Sequence, residues 1–160
     1  NPGNLDAYIY KPVAIQDTLE RPLVIVLHGC SQNAKQAATQ SGWDVLADSN
    51  QFYLVFPEQK LSNNINRCFN WFMPNDINKG KGEVESIYQI MQSVRDSFHI
   101  DKKRVFIYGL SAGAAMSRKS AGAPSFTCRR ISNGWCGVGR TASSRACGGR
   151  TEATATTRAT

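Results

Sequence analysis

Gly109-Leu110-Ser111-Ala112-Gly113 sets a serine midway between two glycines. A serine hydroxyl becomes a useful nucleophile when a turn exposes it and a base takes its proton; it can then attack a carbonyl carbon. The bare pattern is weak, because glycine and serine are common. Its setting is what gives it meaning. Arg104-Val-Phe-Ile-Tyr-Gly109 reads as a buried strand, and a helix is expected from Ala112 onward. A strand-to-helix turn of this kind needs small flanking residues, holds the serine in a strained conformation and aims its hydroxyl at solvent. Ser111 is thus the candidate nucleophile.

Attack on a carbonyl creates an oxyanion that needs donors. The backbone N–H of Ala112, just after the serine, supplies one. The second is expected from the loop after an earlier strand, where His28-Gly29-Cys30 stands, with the Cys30 N–H as donor. Each such donor contributes about 3 kcal/mol in the transition state, by analogy with measured deletions. His28 reads as a structural residue of that loop rather than as the base. The other histidine, His99, falls in the turn before the strand at 104–109, at the opposite end of the sheet. No histidine follows Ser111.

These residues need a scaffold. Residues 7–12 read as a short strand closed by Pro12, and Pro22-Leu-Val-Ile-Val-Leu27 is the continuous apolar run of a strand buried on both faces. Ser41 followed by Asp44 resembles a capping box and predicts a helix to about Ser49. Phe52-Tyr-Leu-Val-Phe56 is a further strand, stopped by Pro57. Residues 59–82 form a long loop carrying Phe69, Trp71 and Phe72; loops of that length are usually functional. Trp71 is the candidate substrate contact, against the plainer reading of core packing. Val84, Ile87, Met91, Val94 and Phe98 recur at helical spacing and predict a helix from about Glu83 to Phe98. Alternating strands and helices imply an α/β fold with a doubly wound, mostly parallel sheet, which binds ligands at the carboxyl ends of its strands. His28 and Ser111 both fall there.

The net charge of +7 suggests nucleic acid only until it is located. Residues 1–116 hold 11 basic and 11 acidic residues; residues 117–160 hold 8 basic residues and one acid, Glu152. The body is neutral, so a nucleic-acid partner is not expected. Gly80-Lys81-Gly82 lacks the spacing of a phosphate loop, no apolar run is long enough to span a membrane, and no Cys-x-x-Cys pair suggests a metal. Cys30 and Cys68 are the two body cysteines. They fit either one disulfide, which suits an exported protein, or two buried thiols.

Beyond Met116 the pattern breaks. Residues 117–160 contain no leucine and only four large apolar side chains, Phe126, Ile131, Trp135 and Val138. Such a composition predicts a tail too poor in apolar surface to offset its ordering entropy. Natural disorder is one origin, and a reading-frame shift in a GC-rich gene is another; the abrupt change in mid-helix favours the shift. The start at Asn1, with no apolar signal stretch, reads as a fragment or a processed end. The organisation expected is therefore a partial hydrolase domain over 1–116 and a basic tail over 117–160.

Residues 1–116 resemble the esterase family of extracellular poly(3-hydroxybutyrate) depolymerases and, more distantly, feruloyl and acetylxylan esterases. The resemblance rests on Asn1-Pro-Gly-Asn-Leu5, Leu27-His-Gly-Cys-Ser-Gln-Asn33, Gly42-Trp43, Phe56-Pro-Glu-Gln59, Arg67-Cys-Phe-Asn-Trp-Phe72, Gly82-Glu83 and Gly109-Leu-Ser-Ala-Gly-Ala-Ala-Met116, in that order. It implies the front part of an α/β-hydrolase, secretion, a Ser-His-Asp triad, no metal or organic cofactor and a Cys30–Cys68 disulfide. The substrate implied is a polyester or a plant-wall polysaccharide ester. The acid and histidine of such a triad follow the serine much later in the chain, and this tail contains no histidine. An acyltransferase of the same fold and a non-catalytic polymer-binding protein are the rival readings. Oligomeric state is not legible.

Overall fold

A computed structural model describes residues 1–16, 18–121, 128–131 and 135–138. The chain runs β1 (Asp6–Tyr10), β2 (Arg21–Leu27), α1 (Ala34–Ser41), α2 (Trp43–Asn50), β3 (Tyr53–Glu58), α3 (Pro74–Ile77), α4 (Gly82–Ser97), β4 (Ile100–Gly109), α5 (Ala112–Ala121), β5 (Cys128–Ile131) and β6 (Trp135–Val138). One sheet holds the strands in the order β1-β3-β2-β4-β6-β5. The central three are parallel, Val24 facing Leu54 on one side and Phe106 on the other. β1 closes one edge antiparallel to β3, and β6 lies antiparallel on β4 with β5 beyond it.

Side chains alternate across the central strands, and each face has its own core. Leu23, Ile25, Leu27, Tyr53, Val55, Val105 and Ile107 pack against Val84, Ile87, Met91 and Val94 of α4 and Met116 of α5. Val24, Val26, Leu54 and Phe56 pack on the other face against Ala34, Ala37, Trp43 and Ala47 of α1 and α2. Both faces are buried because parallel strands need helical crossovers, which is why their sequences are continuously apolar.

Several local expectations are corrected. The helix expected from Ser41 to about Ser49 is α2, which starts at Trp43, and it is preceded by a separate helix, α1, that was not expected. The capping box belongs to Asn33 and Gln36, and Gly42, at φ 68°, ends the first helix and begins the second. The Ser41 hydroxyl turns back to the Ala37 carbonyl instead of capping Asp44. Pro57 does not stop β3; it pairs with Ala7 inside the strand, next to the sheet's outer strand. In the tail, α5 runs on through Ala121, and β6 pairs antiparallel with the outer edge of β4. The remainder of the segment expected to be disordered lies outside the described residues.

Candidate active site

The two turns of interest leave neighbouring strands at one end of the sheet, since Leu27 pairs with Gly109. The Leu110 N–H donates to the Leu27 carbonyl at 3.1 Å, which stitches the start of one turn to the end of the other strand. Ser111 is exposed, with φ at 53°, a left-handed conformation that a residue with a side chain adopts only at a cost. The glycines are required by contact. A Cβ on Gly109 would lie 2.3 Å from the backbone of Gly113, and one on Gly113 would lie 2.4 Å from the Leu27 oxygen and 2.5 Å from that of His28. The elbow is therefore pressed onto the backbone that carries the other turn. Ala112 follows at the start of α5, with its N–H in the first turn, where it has no partner within the helix.

The His28–Ser31 turn is held by side chains. His28 is 1% exposed. Its Nδ1 donates to the Gly29 carbonyl at 2.7 Å, and its Nε2 accepts from the Gln59 N–H at 3.0 Å. Burial lowers its pKa, so the ring is neutral with both nitrogens engaged. It is a strut and not a base. His99 stands at the start of β4, the opposite end of that strand from Ser111. Cys30 is bonded to Cys68 across 38 residues, and the Ser31 N–H reaches the Asn66 carbonyl at 2.7 Å. Gln32 closes the turn by accepting from Gly29 N–H at 2.8 Å. Beside it lies a cavity of about 320 Å³ lined by His28, Gln32, Gln36, Gln40 and Leu110, among others.

The aromatic residues divide. Phe69 is 0% exposed and packs on His28 with ring centroids 4.9 Å apart, so it is core. Trp71 is 41% exposed and meets Phe72 edge-on at 5.6 Å, and Met73 beside them is also exposed. This loop is tied to the His28–Ser31 turn through Cys68, and the short helix that follows packs on α5.

Three residues of the neighbourhood had no role assigned from sequence: Gln59, Asn70 and Glu83. Glu83 is 1% exposed at the start of α4. Its carboxylate accepts from the Gln59 side chain, from the Asn70 N–H at 2.9 Å and from the Asn70 amide at 2.8 Å. Burial pushes its pKa up to about 7 against the pull of those donors. A signal was present: Glu83 stands four residues before Ile87 and eight before Met91, on the apolar stripe of the helix.

Residues 6–132 match the family model Esterase PHB depolymerase. The chain belongs to that family. Its curated relatives include poly(3-hydroxyalkanoate) depolymerase C of Paucimonas lemoignei, 45% identical over 117 residues, 73% of this chain and 28% of that one. Feruloyl esterase B of Thermothelomyces thermophilus is 30% identical, covering 76% of this chain and 40% of its own. Among solved structures, the acetyl xylan esterase of Aspergillus awamori superposes with a TM-score of 0.69 at 24% identity, over 76% of this chain and 43% of that one. A poly(3-hydroxybutyrate) depolymerase from Bordetella parapertussis gives 0.57 at 18%, over 72% and 41%; these two likenesses speak to fold. The chain spans under half the length of these relatives, and the family match continues past Met116. No helix among its described residues is long and apolar enough to cross a membrane.

Proposed function

We propose that the chain carries the nucleophile part of a secreted serine carboxylic ester hydrolase acting on polyester or plant-wall esters. The observation that carries this reading is Ser111, exposed at positive φ between Gly109 and Gly113, on a turn pressed against the backbone of Leu27 and His28. Ser111 Oγ attacks the ester carbonyl as its proton passes to a base, the Cys30 and Ala112 N–H groups receive the oxyanion, the alcohol departs with that proton, and water, giving its proton to the same base, then cleaves the acyl-serine to the free acid and returns the hydroxyl to Ser111. Exposed Trp71, with Phe72 and Met73 beside it, gives an apolar surface suited to a water-insoluble polyester, the substrate type in the names of the depolymerase relatives. The disulfide supports export.

Neither histidine can take the Ser111 proton, so turnover by these 160 residues alone is expected to be slow. Loss of the base costs on the order of 10⁶ in a measured serine protease. The test compares the chain with a version whose segment after Met116 is replaced by a family-like continuation. Hydrolysis of a short nitrophenyl ester and adduct formation with a fluorophosphonate are followed in both. The reading requires a Ser111 adduct and fast turnover in the second version, with both slow in the 160-residue chain; equal turnover would sink the missing-base argument. Sequencing the gene in three frames beyond Met116 tests the frame shift, and an added alcohol acceptor separates hydrolysis from acyl transfer.

A further inference from the structure

Glu83 has no place in the chemistry above, yet it is the most deeply buried carboxyl group near the site. A path of hydrogen bonds leads from it to both loops. The Gln59 side chain donates to Glu83 and to the Cys68 carbonyl at 3.2 Å, while the Gln59 backbone N–H holds His28 Nε2. His28 in turn holds the Gly29 carbonyl, one residue before the Cys30 N–H. On the other side both donors of Asn70, the residue before Trp71, end on the same carboxylate. Gln59 is 0% exposed. Its own oxygen is filled by the Lys60 N–H at 3.0 Å and the Asn63 amide at 2.8 Å, which leaves the chain of contacts little freedom to rearrange. A fully satisfied buried network of this kind specifies one arrangement.

We infer that Glu83 is a positioning residue that fixes the Cys30 turn and the Trp71 loop in one relative placement. The inference rests on the reading of Ser111 as nucleophile for its catalytic consequence, though not for the coupling itself. Three N–H groups aim at the two carboxylate oxygens, so the ionised form satisfies all of them. Protonation puts an O–H where an acceptor stood, and one of the three contacts must loosen. No cation pairs with Glu83 among the described residues. The charged groups around it are Asp76 of α3, whose carboxylate accepts from the Glu83 N–H, and, beyond His28, Glu58 and Arg67 at 3.9 Å from each other. Lys60 is occupied by Asp6 and Asn4, and Glu85, on the same helix, takes the Gly80 N–H and the Gln89 amide. His28, which accepts from the Gln59 N–H through Nε2, transmits the contact.

The experiment uses the 160-residue chain, ¹⁵N-labelled, titrated from well below to well above neutrality. The amide signals of Cys30, Gln59 and Asn70 and the Trp71 indole should shift with one shared midpoint, that of the Glu83 carboxyl. In Glu83→Gln that shared titration should vanish; Glu85→Gln should keep it. In the version carrying a family-like continuation after Met116, the rate constant for phosphonylation of Ser111 at saturating fluorophosphonate should fall about 10- to 100-fold in Glu83→Gln, the scale expected of a small misplacement. Glu83→Asp should recover part of it, and half-saturation should move little. Signals of Cys30 and Trp71 that titrate independently in the unaltered chain would overturn the coupling, with no variant needing to fold. Coupled signals with an unchanged phosphonylation rate in Glu83→Gln would reduce Glu83 to a fold residue and overturn the positioning role. Coupled signals with no serine adduct at any pH would uphold the coupling and instead sink the assignment of Ser111.

Discussion

The elbow at Gly109–Gly113 and the turn at His28–Ser31 leave adjacent strands side by side, yet they are fixed by opposite means. The elbow is fixed by close backbone packing: a Cβ added to Gly109 would lie 2.3 Å from the Gly113 backbone and one on Gly113 2.4 Å from the Leu27 oxygen, and Ser111 is left at φ 53°. The other turn is held from outside, by a disulfide from residue 68, a carbonyl from residue 66 and a ring held by residue 59. A local device can be written into five consecutive residues. A distributed one needs the rest of the fold in place first, and it can be loosened from far away.

The sharpest division between the turns is chemical. Ser111→Ala should abolish the fluorophosphonate adduct, read as the loss of the added mass on the peptide containing residue 111, while the melting temperature stays level, since alanine keeps the Cβ at the same φ of 53°. An adduct that persists elsewhere in the chain would break the assignment of the elbow as the reactive turn.

Cutting the outside support comes next. Cys30→Ser with Cys68→Ser should cost about 4 kcal/mol on the loop-entropy model for a 38-residue span, measured by denaturant midpoint. The elbow should stay folded through it. Gly113→Ala tests the reverse case. Its Cβ meets backbone oxygens of Leu27 and His28 that cannot swing aside, so a loss of about 3 kcal/mol is expected, with little effect on the 59–82 loop. If Gly113→Ala disturbed that loop as strongly as the double cysteine variant does, the two turns would not be independently held.

This contrast explains what the sequence disclosed. Ser111 and its glycines were legible because their constraint is local and has a fixed spacing. The strands were legible because burial on both faces leaves unbroken apolar runs such as Leu23–Leu27. The roles of Gln59, Asn70 and Glu83 were not, because a hydrogen bond across 13 or 24 residues leaves no period in the chain. Glu83 alone left a trace, as a carboxyl on an apolar stripe. The helix α1 before Gly42 was missed because Ser41 and Asp44 imitate a cap that would start a helix there, whereas the Ser41 hydroxyl is used within the last turn of α1.

The distributed turn should also carry the pH dependence. Glu83 is raised from an ordinary 4.5 to about 7, so its protonated form is the one the fold favours. Its contribution to stability is complete below about 4.5 and is lost as pH rises through about 7, on the order of 2–3 kcal/mol in all. Asp76, raised by burial, acts in the same sense. His28 acts oppositely, since its lowered value removes stability as pH falls below the ordinary 6.5. Subtracting the stability–pH curve of Glu83→Gln isolates the carboxyl, and the difference should slope downward between those limits. A flat difference would mean that Glu83 titrates as an ordinary solvated acid, at odds with its burial.

Trp71 offers the smallest effect on the fold and the clearest separation of fold from function. Its neighbour Phe69 is sealed against His28, so Phe69→Ala removes core and should cost about 3–5 kcal/mol. Trp71 touches Phe72 edge-on at the surface and is 41% exposed, so Trp71→Ala should change stability by only about 0.5 kcal/mol. Its effect should appear in adsorption. An indole and a phenyl ring exposed together gain by leaving water for an apolar polymer surface, so retention of the chain on a polyester film should drop in Trp71→Ala and drop further with Phe72→Ala. Soluble short-chain esters have no such surface, so phosphonylation of Ser111 should be untouched by either change. A Trp71→Ala chain that adsorbs as before would leave these rings as part of the wall of the loop, and the apolar surface would then have to be sought on Leu61, Ile65 and Leu110, which are also exposed.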